Sequence, residues 1–302
     1  MRAPNEQFAQ VGDVELCYET FGEPGRPAVL LVMGLGTQML GWHVDFCDQL
    51  AARGFFVVRY DNRDVGRSTS FDSVPPPTPL ELLTRRIRRP AYLLADMADD
   101  GVRLLDALGI SEAHVVGASM GGMIAQTIAA RHPDRVLSLV SIMSTTGNRW
   151  KGQPAPSVFP FFLRRPAPGR EASIDRIVKL FRLVGSPGFP RDEAELREML
   201  SASYDRGHDP AGPARQLAAI IASGDRTPDV RRIYAPTLVI HGKKDKMVRV
   251  SGGRATAKAI PGARLMLIDG MGHDLPRGAW PRIIDGIVEN AGLARRAGAA
   301  TA

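Results

Sequence analysis

Short runs of apolar residues with almost no polar interruption decide what this chain can become. Ala28-Val29-Leu30-Leu31-Val32-Met33 runs straight into Gly34. A surface helix would break such a run with polar residues every third or fourth position, and a half-exposed strand would alternate. A run that does neither is a strand buried on both faces, as in a parallel sheet covered by helices on each side. Phe55–Tyr60, His114-Val115-Val116, Val136–Met143, Thr237-Leu238-Val239-Ile240 and Arg264–Ile268 read as further strands. Helical spacing lies between them: Gln38–Ala52, Asp96–Leu108 closed by Gly109, Met120–Arg131 stopped at Pro133, Gly253–Ala259, and a last helix around Trp280–Asn290. Strands alternating with helices predict an α/β fold on a mostly parallel central sheet. Ahead of them, Val11–Tyr18 alternates around Gly12-Asp13 and predicts a hairpin.

The alternation stops near Thr145 and resumes after Tyr234, with prolines, arginines and short helical stretches between. This predicts a core in two parts, residues 1–144 and 236–302, interrupted by a helical cap over residues 145–235. Phe159, Phe161, Phe162 and Phe181 in that cap fit pocket walls and ordinary packing equally well. The Ala/Gly-rich end, Ala294–Ala302, is predicted to fray.

Composition narrows the function classes. A chain of 302 residues with 44 % hydrophobic content can bury a core. Aromatics at 6 % offer no stacking platform for nucleic acid. The net charge of +7 comes from scattered arginines, and the densest run, Arg85, Arg86, Arg88 and Arg89, reads as a solvated face. No nucleic-acid partner is expected. Cys17 and Cys47 lack metal-ligand spacing and read as buried free thiols in a reducing compartment. The segment from Met1 has no apolar stretch typical of a signal peptide, and no run approaches the roughly 20 residues that span a bilayer. The expectation is a soluble, cytoplasmic protein with no membrane partner, its oligomeric state open.

Gly117-Ala118-Ser119-Met120-Gly121 follows the strand at Val115-Val116 and opens the helix at Met120. G-x-S-x-G in this setting is a sharp strand-to-helix turn with serine at its apex and small residues wherever a side chain would collide. The helix N-terminus behind the serine favours developing negative charge. Glycine-rich turns imitate the pentapeptide by chance, so its partners decide. A serine hydroxyl needs a base, and the base needs a third group to hold its tautomer.

Those groups are expected downstream, acid before histidine, in loops after later strands. Of His43, His114, His132, His208, His241 and His273, only His273 sits in a late glycine loop after a strand, Ile268-Asp269-Gly270-Met271-Gly272-His273. His273 is therefore the predicted base. The strand ending at Ile240 runs through His241-Gly242-Lys243-Lys244 to Asp245, the predicted acid. Asp225 and Asp229 precede that strand, while Asp269 and Asp274 flank the histidine and are the competitors. The early loop Gly34-Leu35-Gly36 suits an oxyanion hole formed by the amides of Leu35 and Met120. Position 39 is methionine, so Gly34-x-Gly36 lacks the third glycine of a dinucleotide site. No cofactor and no metal are expected. Trp42 and His43, next along the chain, are candidates to line the pocket.

Taken together, Val32-Met33-Gly34, Asp61-Asn62-Arg63-Asp64-Val65-Gly66-Arg67-Ser68, Gly117-Ala-Ser119-Met-Gly-Gly122, His241-Gly-Lys-Lys-Asp245 and Gly270-Met-Gly-His273 resemble the α/β-hydrolase superfamily over nearly the whole chain. The early loop with Gly41-Trp42, and Gly-Met-Gly-His, are similar to its aclacinomycin methylesterase branch. The Ser-Met-Gly-Gly elbow also resembles cofactor-free haloperoxidases, which act as perhydrolases, and carbon–carbon bond hydrolases. Many relatives have proline after the acid where this chain has Lys246. The resemblance implies the α/β-hydrolase fold and a serine hydrolase cleaving small or medium-sized carboxylic esters through an acyl-enzyme. Perhydrolysis and carbon–carbon cleavage use the same triad and stay open, as does a ligand receptor that retains the fold. Arg63 and Asp64 are expected to tie loops together rather than do chemistry.

Overall fold

The computed structural model describes residues 5–163 and 169–301, with side chains for residues 5–161 and 169–294. β1 (Gln7–Val11) and β2 (Val14–Phe21) form the predicted hairpin, with Val11 opposite Val14. The apolar runs become β3 (Ala28–Val32), β4 (Phe56–Tyr60), β5 (Ala113–Ala118), β6 (Val136–Ile142), β7 (Thr237–Gly242) and β8 (Arg264–Ile268). One sheet results, in the order β1-β2-β4-β3-β5-β6-β7-β8. β2 runs antiparallel to β1 and β4, and every pairing from β4 to β8 is parallel.

The helices in chain order are α1 (Val44–Ala52), α2 (Pro79–Thr84), α3 (Leu94–Ala107) and α4 (Met120–Arg131). Then α5 (Phe159–Leu163), α6 (Arg170–Val184), α7 (Glu193–Arg206), α8 (Gly212–Ser223) and α9 (Thr227–Val230) lie between β6 and β7. The chain closes with α10 (Ser251–Ala259) and α11 (Trp280–Thr301). Among the described residues, no strand interrupts the helices between β6 and β7. Nor is any helix long and apolar enough to cross a membrane.

Strand alternation explains why the runs are continuous. On β3, Ala28, Leu30 and Val32 face a core shared with Leu94, Met97 and Leu104 of α3 and Ile124 and Ile128 of α4. Val29 and Leu31 face a second core with Phe46 and Leu50 of α1 and Ile283 and Ile287 of α11. Both faces are dry, so neither position tolerates a polar residue.

Two helix readings change. Gln38–Ala52 is not one helix: a single 3-10 turn covers Met39–Gly41, and α1 starts afresh after His43, whose Nδ1 accepts the Asp45 N–H at 3.0 Å. The tail expected to fray continues α11 to Thr301, consistent with the helix propensity of its alanines and arginines.

The loop after β4 anchors the helices inserted after β6. Asp61 accepts the Met39 N–H at 2.7 Å and the Arg206 guanidinium of α7 at 2.6 Å. Asp64 accepts Arg215 of α8 through two nitrogens at 3.0 and 2.7 Å, and the Phe71 N–H at 2.8 Å. Arg63 grips Asp100 with two 2.6 Å bonds, its plane over the Phe71 and Tyr92 rings. Arg63 and Asp64 are therefore architectural, as expected. Burial pushes the Asp61 and Asp100 carboxyls above their ordinary range. Cys17 and Cys47 are buried and free, their thiols pushed up to about 12 by burial. Arg85, Arg86, Arg88 and Arg89 are all exposed.

Removing one partner of a buried ion pair strands the other charge, at a cost of about 3–5 kcal/mol. Arg215→Met is predicted to lose stability of that size in urea unfolding, because its side chain is 3 % exposed and Asp64 fully buried. A loss below about 1 kcal/mol would place the anchoring elsewhere.

Candidate active site

Ser119 follows the last residue of β5 and caps α4 with φ 56° and ψ −118°, a backbone conformation rare for a residue with a Cβ. Its N–H is held by the Ile142 carbonyl of β6 at 2.9 Å. The turn closes so tightly that a Cβ on Gly117 would lie 2.0 Å from the Gly121 carbonyl oxygen. A Cβ on Gly121 would lie 2.1 Å from the Val32 carbonyl oxygen of β3. Only glycine fits at either position, which is the physical content of the G-x-S-x-G spacing.

His273 and Asp245 converge on that serine. His273 Nε2 is 3.0 Å from Ser119 Oγ, and its Nδ1 is 2.7 Å from Asp245 Oδ2. An ionised carboxylate only accepts, so the Nδ1–H donates to Asp245 and Nε2 is left to accept the serine O–H. Asp245 Oδ1 accepts the Met247 and Val248 N–H groups, each at 2.8 Å. The Asp245 carboxylate is wholly buried, unlike a solvated turn residue paired with Lys244 or Lys246.

The competing carboxylates are occupied elsewhere. Asp269 pairs with Lys243 at 2.8 Å on the surface. Asp274 bonds the Ser186 hydroxyl and accepts the Ser186 N–H at 3.2 Å, and burial pushes its carboxyl upward. Ser186 Oγ in turn accepts the Gly272 N–H at 2.8 Å, and the His273 N–H goes to the Val184 carbonyl at 2.7 Å. The histidine loop is thus pinned to the end of α6. Sequence reasoning missed Ser186, because nothing in its spacing announces the loop it reaches.

The other histidines serve packing. His241 is buried, with Nε2 2.7 Å from the Val248 carbonyl and 3.6 Å from Asp245, so it braces the acid loop. Burial lowers its pKa. His132 pairs with Asp99 at 2.7 Å, His114 meets Ser138 Oγ at 2.8 Å, and His208 stacks on Tyr204.

Gly34 lies against the serine: a Cβ there would sit 3.1 Å from Ser119 Cβ and 3.6 Å from its Oγ. Among the described residues, no hydrogen-bond acceptor engages the Leu35 or Met120 N–H, whereas the Gly36 N–H is taken by Gln216 Oε1 at 2.7 Å. Trp42 has no exposed surface with which to line a pocket, and its assignment as a pocket wall is corrected. Trp42 is fully buried in the core against Phe46 and Met33. His43 is the cap of α1, its ring near Trp280 and its Nε2 3.2 Å from Glu195. Phe159 is half-exposed and Phe161 carries the Arg176 guanidinium; the side chain of Phe162 lies outside the described residues. No group of three His, Cys, Asp or Glu among the described residues is placed to hold a metal ion.

Comparison with known proteins identifies the family. A rhodomycin D methylesterase of Streptomyces sp. is 31 % identical over 285 residues, covering 87 % of this chain and 90 % of the relative. A 3-oxoadipate enol-lactonase of Acinetobacter baylyi is 28 % identical, covering 85 % and 86 %. The crystal structure of the enol-lactonase from Burkholderia xenovorans superposes with a TM-score of 0.72 at 25 % identity, covering 94 % of this chain and 99 % of that one. The model of the alpha/beta hydrolase fold matches residues 27–276. With the match spanning β3 to β8, the elbow and both downstream loops, the chain belongs to the alpha/beta hydrolase family.

Proposed function

We propose that the chain is a serine esterase acting on carboxylic esters of small or medium-sized molecules through an acyl-enzyme. One observation carries this reading: His273 bridges Ser119 Oγ and Asp245 Oδ2 at 3.0 and 2.7 Å. In the proposed reaction His273 Nε2 takes the hydroxyl proton as Ser119 Oγ bonds to the ester carbonyl carbon. The displaced electron pair moves to the carbonyl oxygen, facing the Leu35 and Met120 N–H groups. Collapse expels the alkoxide, which leaves with the proton from His273. Water then gives His273 a proton and attacks the acyl carbon, and collapse releases the acid and returns the proton to Ser119.

The methylesterase and enol-lactonase names of two relatives, both describing ester linkages, support the substrate class. A 2-hydroxymuconate semialdehyde hydrolase of Pseudomonas putida, 30 % identical over 61 % of this chain, supports a second reading in which the same residues cleave a carbon–carbon bond. We read residues 145–235 as the cap that covers the serine and selects the substrate. The buried, unpaired thiols of Cys17 and Cys47 fit a reducing, cytoplasmic setting.

Ser119→Ala is predicted to abolish the p-nitrophenyl acetate burst and to lower kcat by about 10⁴-fold or more; an unchanged rate would refute the reading. Asp245→Asn should lower kcat by about 10³–10⁴-fold by leaving His273 in the wrong tautomer. Asp274→Asn, removing the competing carboxylate, should cost about tenfold at most. The reverse ranking would make Asp274 the acid. Graded esters tested beside a vinylogous diketone distinguish ester from carbon–carbon cleavage.

A further inference from the structure

The loop that faces the serine is not held by the sheet alone. Gln216, on α8 and fully buried, uses both ends of its amide. Its Oε1 accepts the Gly36 N–H at 2.7 Å, and its Nε2 donates to the Arg63 carbonyl at 2.8 Å. Pro213, one turn earlier on α8, presses on the same loop: a Cβ on Gly36 would lie 3.1 Å from its Cγ. Gly36 itself has φ +65°, a left-handed bend that glycine adopts freely and a side chain would not. The neighbouring Gln38 reaches α7, donating to the Ser203 and Gly207 carbonyls at 2.7 and 2.8 Å and accepting Arg206 at 2.7 Å. Residues 34–39 are therefore clamped between the sheet and two helices inserted after β6.

We infer that Gln216 is a positioning residue for the oxyanion hole. By capturing the Gly36 N–H it fixes the orientation of the adjacent peptide planes and leaves the Leu35 N–H as the free donor beside Ser119. Its second bond, to the carbonyl of Arg63, makes the clamp rigid: that residue is locked to Asp100, so Gln216 is held at both ends. Cap and oxyanion loop thus act as one unit, and displacing α8 would release the donor. This inference rests on the serine-esterase reading of the site.

The test uses a trifluoromethyl ketone, which Ser119 Oγ attacks with transfer of its proton to His273, placing an alkoxide in the hole. Gln216→Met keeps the volume and removes both hydrogen bonds. It should lower kcat and ketone affinity together by about 10–100-fold, below or at the cost of losing a whole donor, with KM within about threefold. Gln216→Glu keeps the acceptor for Gly36 and should retain more ketone affinity than Gln216→Met. Unchanged kcat and ketone affinity in a folded Gln216→Met would overturn the inference, as would a rise in KM alone. If Gln216→Met does not fold, Gln216→Asn decides, its side chain being one methylene too short to reach both Gly36 and Arg63: ketone affinity reduced no more than substrate affinity overturns the inference. Failure of the underlying reading looks different, since wild type would then show no Ser119-dependent turnover at all.

Discussion

Everything at this site depends on one strained turn. Ser119 occupies φ 56°, ψ −118°, a conformation that costs a residue with a Cβ about 1–3 kcal/mol. Contacts on every side hold it there. The Ile142 carbonyl takes its N–H, α4 begins at the next residue, and Gly117 and Gly121 press backbone on backbone with no room for a methyl group. The strain lifts the hydroxyl off the end of the sheet, where residues from other loops can reach it. A relaxed turn would lay the serine along the helix and out of reach of His273.

The sheet brings those loops together. β5 carries the serine, β7 the acid and β8 the histidine, and β6 separates the first from the other two. Parallel pairing sets all three loops at the same edge, so residues far apart in sequence meet within hydrogen-bond distance. Supports then lie behind each member. Asp245 rests on two amides and is braced by His241, the His273 loop is tied to Ser186 and Val184, and the Gly34–Gly36 loop to Gln216. Two of the three supports come from the segment inserted after β6, which makes that segment part of the frame that holds these loops.

The legible part of this design is the part written in local rules. Strands buried on both faces must be continuously apolar, and the elbow must be glycine-rich, so β3, β5 and Ser119 are readable directly. Chain order and placement after a strand separate Asp245 from Asp274, although Asp274 is adjacent to the histidine. The supports from Ser186 and Gln216 follow no such rule. They depend on how helices dock on loops in three dimensions, and a polar residue on a helix does not reveal whether it faces water or a buried amide. Trp42 misleads for the opposite reason. It is near the Gly34–Gly36 loop in sequence, but a single turn at Met39–Gly41 leads it into the core.

The central claim is that Ser119 becomes covalently acylated. Rapid quenching of the enzyme with p-nitrophenyl acetate, followed by peptide mass mapping, tests it directly. Acetylation on the peptide containing Ser119, appearing and decaying at rates that match turnover, is predicted. Turnover without an adduct on Ser119, or with a kinetically competent adduct on another residue, would contradict it.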